Sequence, residues 1–135
     1  MVKEDIIMKY EINKVVSAKQ IADLRESVGW NRMEESYRNL KMTNLFHIAC
    51  YENDLLIGYV CVVSNNVTDA YIQDLMVHPS YQNKGIGTSL MKQTISKIKE
   101  MKIYMISVIY GEEELRNFYE KFGFTTMLCG QMLGE

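Results

Sequence analysis

The chain has 135 residues, 47% of them hydrophobic and 24% charged, which fits one folded domain and excludes a disordered or fibrous chain. Its 15 basic and 17 acidic residues leave a net charge of -2, which argues against nucleic acid as a partner, because binding to a phosphate backbone depends on a basic surface. No apolar run approaches the roughly 20 residues of a membrane-spanning helix, and no signal-peptide pattern opens the chain. We therefore expect one domain over residues 1–135, a cytoplasmic location and no membrane contact.

The cysteines and histidines give no metal pattern. Cys50, Cys61 and Cys129 are odd in number and far apart, which fits neither a disulfide framework nor a CxxC site. We expect all three to be small core residues. His47 and His78 are isolated, so no metal ion is expected.

The N-terminal third predicts a strand followed by two helices. Residues 9–16 alternate as a strand does, and residues 17–20, Ser-Ala-Lys-Gln, have the form of a capping box that begins a helix. Gly29 is placed to end that helix. A second, short helix is predicted with three side chains on one face, those of Met33, Tyr37 and Leu40. We expect these two helices to form a flap.

The middle of the chain predicts three strands in succession. Residues 45–51, 55–64 and 68–77 are rich in β-branched and aromatic side chains. The pairs Asn53-Asp54 and Asn65-Asn66 are tight-turn signals. These features predict an antiparallel meander, whose middle strand is apolar on both faces and therefore central.

The C-terminal half follows the single proline, Pro79. It predicts a helix from about 85 to 101, a strand over 103–110, a helix that ends at Gly123, and a last strand over 124–129. The segment 68–110 is then a strand-helix-strand crossover with parallel strands. The predicted order is β-α-α-β-β-β-α-β-α-β, an α/β (α+β) domain. Its twisted sheet is mixed, mostly antiparallel, with six to seven strands and about four flanking helices.

A glycine-bearing loop precedes the longest predicted helix. Gly85 and Gly87 allow close approach of a ligand, and the first N–H groups of the helix favour an anion such as phosphate. The position of Lys84 departs from GxxxxGK[ST], and the third glycine of GxGxxG is missing. ATP and NAD are therefore poorly supported. Taken alone, the two glycines also fit a turn with tight helix-strand packing.

The residues around this loop resemble a known family. Leu75-Met-Val-His-Pro79, followed by Gln82-x-x-Gly85-x-Gly87, resembles the acetyl-coenzyme A loop of the GNAT superfamily of N-acetyltransferases, Gln/Arg-x-x-Gly-x-Gly/Ala. The segment 118–124, Phe-Tyr-Glu-Lys-Phe-Gly-Phe, resembles the second signature of that family. The resemblance covers essentially the whole chain. It implies transfer of an acetyl group from acetyl-CoA directly to a primary amine of a small molecule or peptide, in a ternary complex, with coenzyme A as product.

The resemblance also implies the cofactor-binding residues. Backbone N–H groups near 82–88 would hold the pyrophosphate, and the strand end at 75–77 would pair with the pantetheine arm. We expect a bulge in this strand, which would separate it from strand 103–110 and open a cleft. The implied cofactor-binding residues are Leu75, Met76, Val77, Gln82, Asn83, Lys84, Gly85, Ile86, Gly87 and Thr88.

Tyr119 is implied as the general acid that protonates the leaving thiolate, although its place in an apolar stripe also fits a core residue. The acceptor amine must lose a proton, and relatives often carry Glu-Asp where this chain has Gln73-Asp74. Gln73 cannot accept a proton, so Asp74 is a candidate base and an ordered water chain is the preferred alternative. Glu112 stands where many members place an asparagine that contacts the cofactor.

The acceptor site is expected in the flap region, which in this family shapes the acceptor pocket. Trp30, Glu34 and Tyr37 are its candidate residues, since aromatic rings and carboxylates suit a cationic amine. Homodimers are common in the family. Two alternatives stay open: a non-catalytic acyl-CoA binding or sensing domain, which Gln73 favours, and an interaction module whose glycine loop is only structural.

Overall fold

The computed structural model describes residues 8–135 and leaves residues 1–7 of the predicted domain outside. Within that range lies a five-stranded sheet whose neighbours follow the order β1-β2-β3-β4-β5. The strands are β1 (Met8–Ile12), β2 (Phe46–Glu52), β3 (Leu55–Ser64), β4 (Asp69–Val77) and β5 (Met105–Val108). The α-helices are α1 (Ala18–Ser27), α2 (Glu34–Tyr37), α3 (Ile86–Glu100) and α4 (Arg116–Glu120).

The start of α1 follows the prediction only in part. The Ser17 side chain accepts a hydrogen bond from the Gln20 backbone N–H at 3.3 Å, so the N-cap is confirmed. The reciprocal half of the capping box is replaced, because Gln20 Nε2 donates to the Asp54 carbonyl at 2.8 Å. Gln20 therefore ties α1 to the turn between β2 and β3. Gly29 follows the helix at φ +85°, as its predicted stop.

The second predicted helix is wrong in extent. Only one turn, α2, forms, because Met33 before it is left-handed at φ +50° and Asn39 after it is extended. Leu40 falls in a separate 3-10 turn and is 95% exposed. The predicted apolar face of Met33, Tyr37 and Leu40 is therefore not formed, and only Tyr37 packs against the cluster beneath α1.

The central sheet follows the prediction closely. β2, β3 and β4 form the antiparallel meander, with β3 in the middle of the sheet. Asn53 and Asn66 adopt positive φ in the two turns, which asparagine tolerates. α3 then returns the chain so that β5 pairs parallel to β4, as the crossover rule requires.

Helices cover both faces of the sheet. On one face α3 buries Leu90 and Met91 completely. On the other face α1 packs Ile21 and Leu24 against the inner strands. No helix of residues 8–135 combines the length and the apolar character needed to cross a membrane.

The end of the chain corrects three expectations. None of residues 124–135 lies in a helix or strand, so the predicted strand 124–129 is absent, and over residues 8–135 the sheet has five strands where six to seven were predicted. The segment has β-branched and apolar side chains, but a strand also needs a pairing partner. Met127 and Leu128 are exposed. Cys129 is exposed too, whereas Cys50 and Cys61 are buried as expected.

Candidate active site

A bulge in β4 opens the sheet beside β5. Tyr59 pairs with Met76 and Cys61 pairs with Gln73, so β4 holds one more residue than β3 between these pairs. Asp74, inside the bulge, is left-handed at φ +58°. Pairing of β4 with β5 extends from Asp69↔Met105 only to Ile72↔Val108. The predicted bulge is confirmed, and it lies where the two strands part.

The parted strands border a cleft of about 1150 Å³. Its walls come from the end of β4, the glycine loop with the first turn of α3, the end of β5, α4, and the segment that follows α1. All but one of the residues implied in cofactor binding line it: Leu75, Met76, Val77, Gln82, Asn83, Gly85, Ile86, Gly87 and Thr88. The exception, Lys84, lies with its Nζ 5.4 Å from the centre of the Tyr81 ring.

The glycine loop is held against the end of β4. Pro79 begins a 3-10 turn one residue after the strand ends at Val77, where its fixed φ and missing N–H help to end the strand. The Gln82 side chain returns to β4, where its Nε2 donates to the Val77 carbonyl at 3.0 Å. The ring of Pro79 and the side chain of Gln82 thus fix the direction in which the chain leaves the sheet.

Gly85 is the N-cap of α3 and has φ +84°. A Cβ at Gly85 would meet no atom of residues 8–135 within 4 Å outside its own chain neighbours, so glycine is favoured there for conformation and not for space. This residue gives α3 no side-chain cap. The first-turn N–H groups therefore lack a side-chain acceptor at the cleft wall, an arrangement that favours an anion.

Tyr119 is both packed and at the cleft. It is 7% exposed, and its ring stacks on Tyr110 with centroids 4.7 Å apart and planes at 10°. It also borders the cleft. Burial, followed by the nearby Tyr110 hydroxyl, raises the pKa of Tyr119 to about 12. The phenol therefore keeps its proton throughout the neutral range.

Asp74 takes part in a hydrogen-bonded cluster beneath α1. Its Oδ1 accepts from Arg25 Nη1 at 3.2 Å, and its Oδ2 accepts from the Tyr37 hydroxyl. Cys61 Sγ lies 3.7 Å from the same Oδ2. Burial, with the hydrogen bond to Asp74 as the next cause, raises the pKa of Tyr37, so this hydroxyl remains a donor. Asp74 lines the cleft, but donors already occupy both of its oxygens.

The three candidate acceptor residues do not lie together in the structure. Trp30 is 42% exposed and lines the cleft. Glu34 instead accepts from Arg32 and Arg38, each at 2.9 Å. Tyr37 lies in the cluster with Asp74. Of the three, only Trp30 borders the cleft.

Two cleft residues, Arg25 and Lys121, were not predicted from the sequence. Arg25 is the more informative, because it sits among the apolar positions Ile21 and Leu24 of α1 and Val28 just after it. A charge on a buried helical face was a signal available in the sequence. Lys121 also lines the cleft, with its Nζ 3.2 Å from Thr88 Oγ1. Glu112, in the position of the family asparagine, lines it as well.

The histidines have structural contacts. His47 Nε2 lies 2.6 Å from the Lys14 carbonyl, and His78 Nδ1 accepts from the Ser80 backbone N–H at 3.1 Å. Within residues 8–135, no group of three or more His, Cys, Asp or Glu side chains is placed to hold a metal ion.

Comparison with known proteins bears on this cleft. The model of the Acetyltransferase (GNAT) family matches residues 15–124. An uncharacterized N-acetyltransferase ycf52 of Gracilaria tenuistipitata var. liui is 31% identical over 119 residues, covering 84% of this chain and 65% of that protein. The chain thus spans about two thirds of the length of this curated relative.

Two solved structures share the fold. A Staphylococcus aureus protein of unknown function, described as a probable acetyltransferase, has a TM-score of 0.83 at 25% identity, covering 96% of this chain and 99% of that one. A GNAT family acetyltransferase of Streptococcus pneumoniae has a TM-score of 0.78 at 25% identity, covering 96% and 100%. Since the family model matches most of the sequence, including β4, the glycine loop and α4, the chain belongs to the GNAT family of acetyltransferases.

Proposed function

We propose that this protein is an acetyl-CoA-dependent N-acetyltransferase that moves acetyl directly to the primary amine of a small molecule or peptide. One observation carries the proposal: the bulge at Asp74 separates β4 from β5, and the resulting cleft runs from the strand end at 75–77 to the start of α3. The GNAT family generally uses acetyl-CoA as cosubstrate. This thioester supplies an activated acetyl group on an extended arm with a diphosphate.

The cleft residues suit such a molecule at both ends. Beyond Ile72, β4 is not paired with β5, so its main-chain groups at 75–77 suit the amide groups of an extended arm. At the other end, the first turn of the 15-residue helix α3 offers N–H groups and the positive end of its dipole to the diphosphate. Lys121, beside Thr88, adds a positive charge at that wall.

Tyr119 is the proposed general acid. As the acceptor nitrogen bonds to the acetyl carbon and the carbon–sulfur bond breaks, the Tyr119 hydroxyl gives its proton to sulfur. The nitrogen loses one proton as the amide forms, and water returns a proton to the Tyr119 phenolate, so the enzyme is restored. A pKa near 12 keeps the phenol protonated at neutral pH, so the donor is present in each free enzyme molecule. Its stacking on Tyr110 fixes the ring.

The acceptor amine has to arrive neutral. For a lysine-like amine with a pKa of about 10.4, deprotonation at pH 7 costs roughly 4–5 kcal/mol. Asp74 is a poor recipient, because Arg25 and Tyr37 already donate to its oxygens. We therefore favour a water chain that carries this proton out of the cleft. Trp30 offers an aromatic face to the acceptor.

A second function has its own supporting observation. Gln73 stands where relatives often have glutamate, and the neighbouring carboxylate of Asp74 is engaged with Arg25. Both features favour a domain that binds acyl-CoA without transferring the acyl group.

Two measurements separate these functions. Coenzyme A at 100 times its Kd is expected to stabilise the protein by about 2.7 kcal/mol, and no rise in Tm would contradict both functions. A screen of small amines, polyamines, aminoglycosides and peptide N-termini for thiol release from acetyl-CoA then tests transfer. Binding without release by any amine favours the sensing domain.

Tyr119→Phe tests the proposed acid. We expect kcat to fall by about 100-fold or more while the Kd of coenzyme A stays near its original value. Tyr104→Phe is the matched control, because Tyr104 is exposed and outside the cleft. Equal loss of turnover and coenzyme A binding in Tyr119→Phe would instead indicate a packing role.

A further inference from the structure

Arg25 is the only charged residue of 8–135 that is buried, with 8% of its surface exposed. It lies on α1 beneath Trp30, with its guanidinium carbon 5.3 Å from the ring centre. Its Nε donates to the Asn31 carbonyl at 2.6 Å and its Nη2 to Asn31 Oδ1 at 2.8 Å. Its Nη1 donates to the Tyr37 hydroxyl at 3.0 Å and to Asp74. A charged side chain that is buried and held by this many contacts calls for a structural explanation.

Asp74 has a backbone conformation that L residues rarely adopt, at φ +58° inside β4. Side chains in a regular strand alternate between the two faces of the sheet, and the extra residue of the bulge interrupts that alternation. The Asp74 carboxylate is thereby directed to the α1 face, where Arg25, Tyr37 and Cys61 meet it. The bulge and these contacts therefore depend on each other.

The position of the bulge gives these contacts a functional consequence. Pairing with β5 stops at Ile72, two residues before Asp74, and the cleft-lining strand end at 75–77 follows directly. Whatever fixes Asp74 also fixes the direction of that strand end. The contact that fixes Asp74 from α1 is made by Arg25.

We propose that Arg25 is a positioning residue: through Asp74 it holds the β4 bulge that keeps the cleft open, and Asp74 is the anchor of the bulge and not the base. Loss of Arg25 would leave the partly buried Asp74 carboxylate without its charged partner, so loss of Arg25 releases the bulge. Lysine cannot replace it, since an ammonium lacks the planar fork that reaches Asn31, Tyr37 and Asp74 together. The catalytic part of this inference rests on the proposed function; the part on the bulge does not.

The first test needs no activity. Amide hydrogen exchange over residues 72–78 is measured in the free protein for Arg25→Met, Arg25→Lys and the control Lys19→Met, which removes a cation from the solvent face of the same helix. We expect exchange about tenfold faster in both Arg25 variants and unchanged in Lys19→Met. Unchanged exchange in Arg25→Met would overturn the inference. If Arg25→Met does not fold, Tyr37→Phe, which removes only one donor to Asp74, is expected to speed exchange in the same segment.

The second test separates an anchor from a base. If Asp74 is an anchor, Arg25→Met lowers kcat by the same factor at every pH, and adding Asp74→Asn to that variant lowers kcat no further. If Asp74 is instead the base, Arg25→Met shifts the acid limb of the profile of kcat against pH to higher pH, and the variant recovers full kcat at pH values above that limb. That recovery would overturn the anchor. If the wild-type protein releases no thiol with any amine, the proposed function fails while the exchange result still decides the role of Arg25.

Discussion

Gly58 of β3 lies against the start of α3 and offers a test of how tightly the cofactor loop is supported. A Cβ at this position would lie 3.1 Å from Ile86 Cγ2, 3.1 Å from Leu90 Cδ1 and 3.3 Å from Cys50 Cβ. All three neighbours are buried. In Gly58→Ala the first turn of α3 must therefore move by a few tenths of an ångström, because these side chains have no solvent to move into.

The expected cost follows from the packing. Overfilling a packed core costs about 1–3 kcal/mol, and loss of chain entropy in the unfolded state offsets about 0.5–1 kcal/mol of it. The net destabilisation is about 1–2 kcal/mol. With an unfolding entropy of roughly 2.1 cal/mol/K per residue, the Tm of this 135-residue chain falls by about 4–7 °C. Because Ile86 follows Gly85 directly, coenzyme A binding is expected to weaken as well.

The assay is thermal unfolding with and without coenzyme A, and Gly87→Ala is its control. A Cβ at Gly87 would lie 3.6 Å from Val77 Cγ2 and 3.7 Å from Phe118 Cζ, which is ordinary contact, so its Tm should stay the same or rise. The reasoning is refuted if Gly58→Ala keeps the original Tm and coenzyme A shift, or if Gly87→Ala loses as much.

Three further outcomes are expected. Gly85→Val should abolish the coenzyme A shift of Tm, and Gly85→Asn should keep part of it, because asparagine tolerates positive φ and valine does not; equal shifts would contradict this. The pKa of Tyr119, raised to about 12, favours the folded state below pH 10 and this contribution is lost as pH rises from 10 to 12. Urea unfolding of Tyr119→Phe should therefore lose about 1.4 kcal/mol less than wild type between pH 9 and 11; equal losses would argue against burial of the phenol. A thiol reagent should label Cys129 alone in the folded protein and all three cysteines after denaturation; rapid labelling of Cys50 or Cys61 would contradict the core packing.

Local patterns predicted the parts of the fold that local physics decides. The Ser17 cap and the Asn53 and Asn66 turns each depend on a few neighbouring residues. The end of the chain does not, because a strand at 124–129 requires a partner that no local pattern specifies. The prediction that Leu40 lies on the second helix failed for a related reason. Its helical spacing is compatible with α2, but a left-handed Met33 and an extended Asn39 confine that helix to one turn.

The candidate site also has features that the local sequence predicted and one that it did not. Its glycine loop and Tyr119 were recognisable because they lie in contiguous signatures. The contact between Arg25 and Asp74 joins residues 49 positions apart and exists only because a bulge changes the face to which Asp74 points. The periodicity of β4 predicted the opposite alternation, so no strand pattern would have paired them.

The parallel pairing of β4 with β5 also has a consequence for how the molecule assembles. β2 and β3 are joined by a two-residue turn, whereas the first β4–β5 pair, Asp69 and Met105, is separated by 36 positions with α3 between them. Closing the longer loop costs more chain entropy, and distant pairings form more slowly. We therefore expect the meander to fold first and the cleft to be completed last, so that a chain still emerging from the ribosome has most of its sheet before it has a binding site.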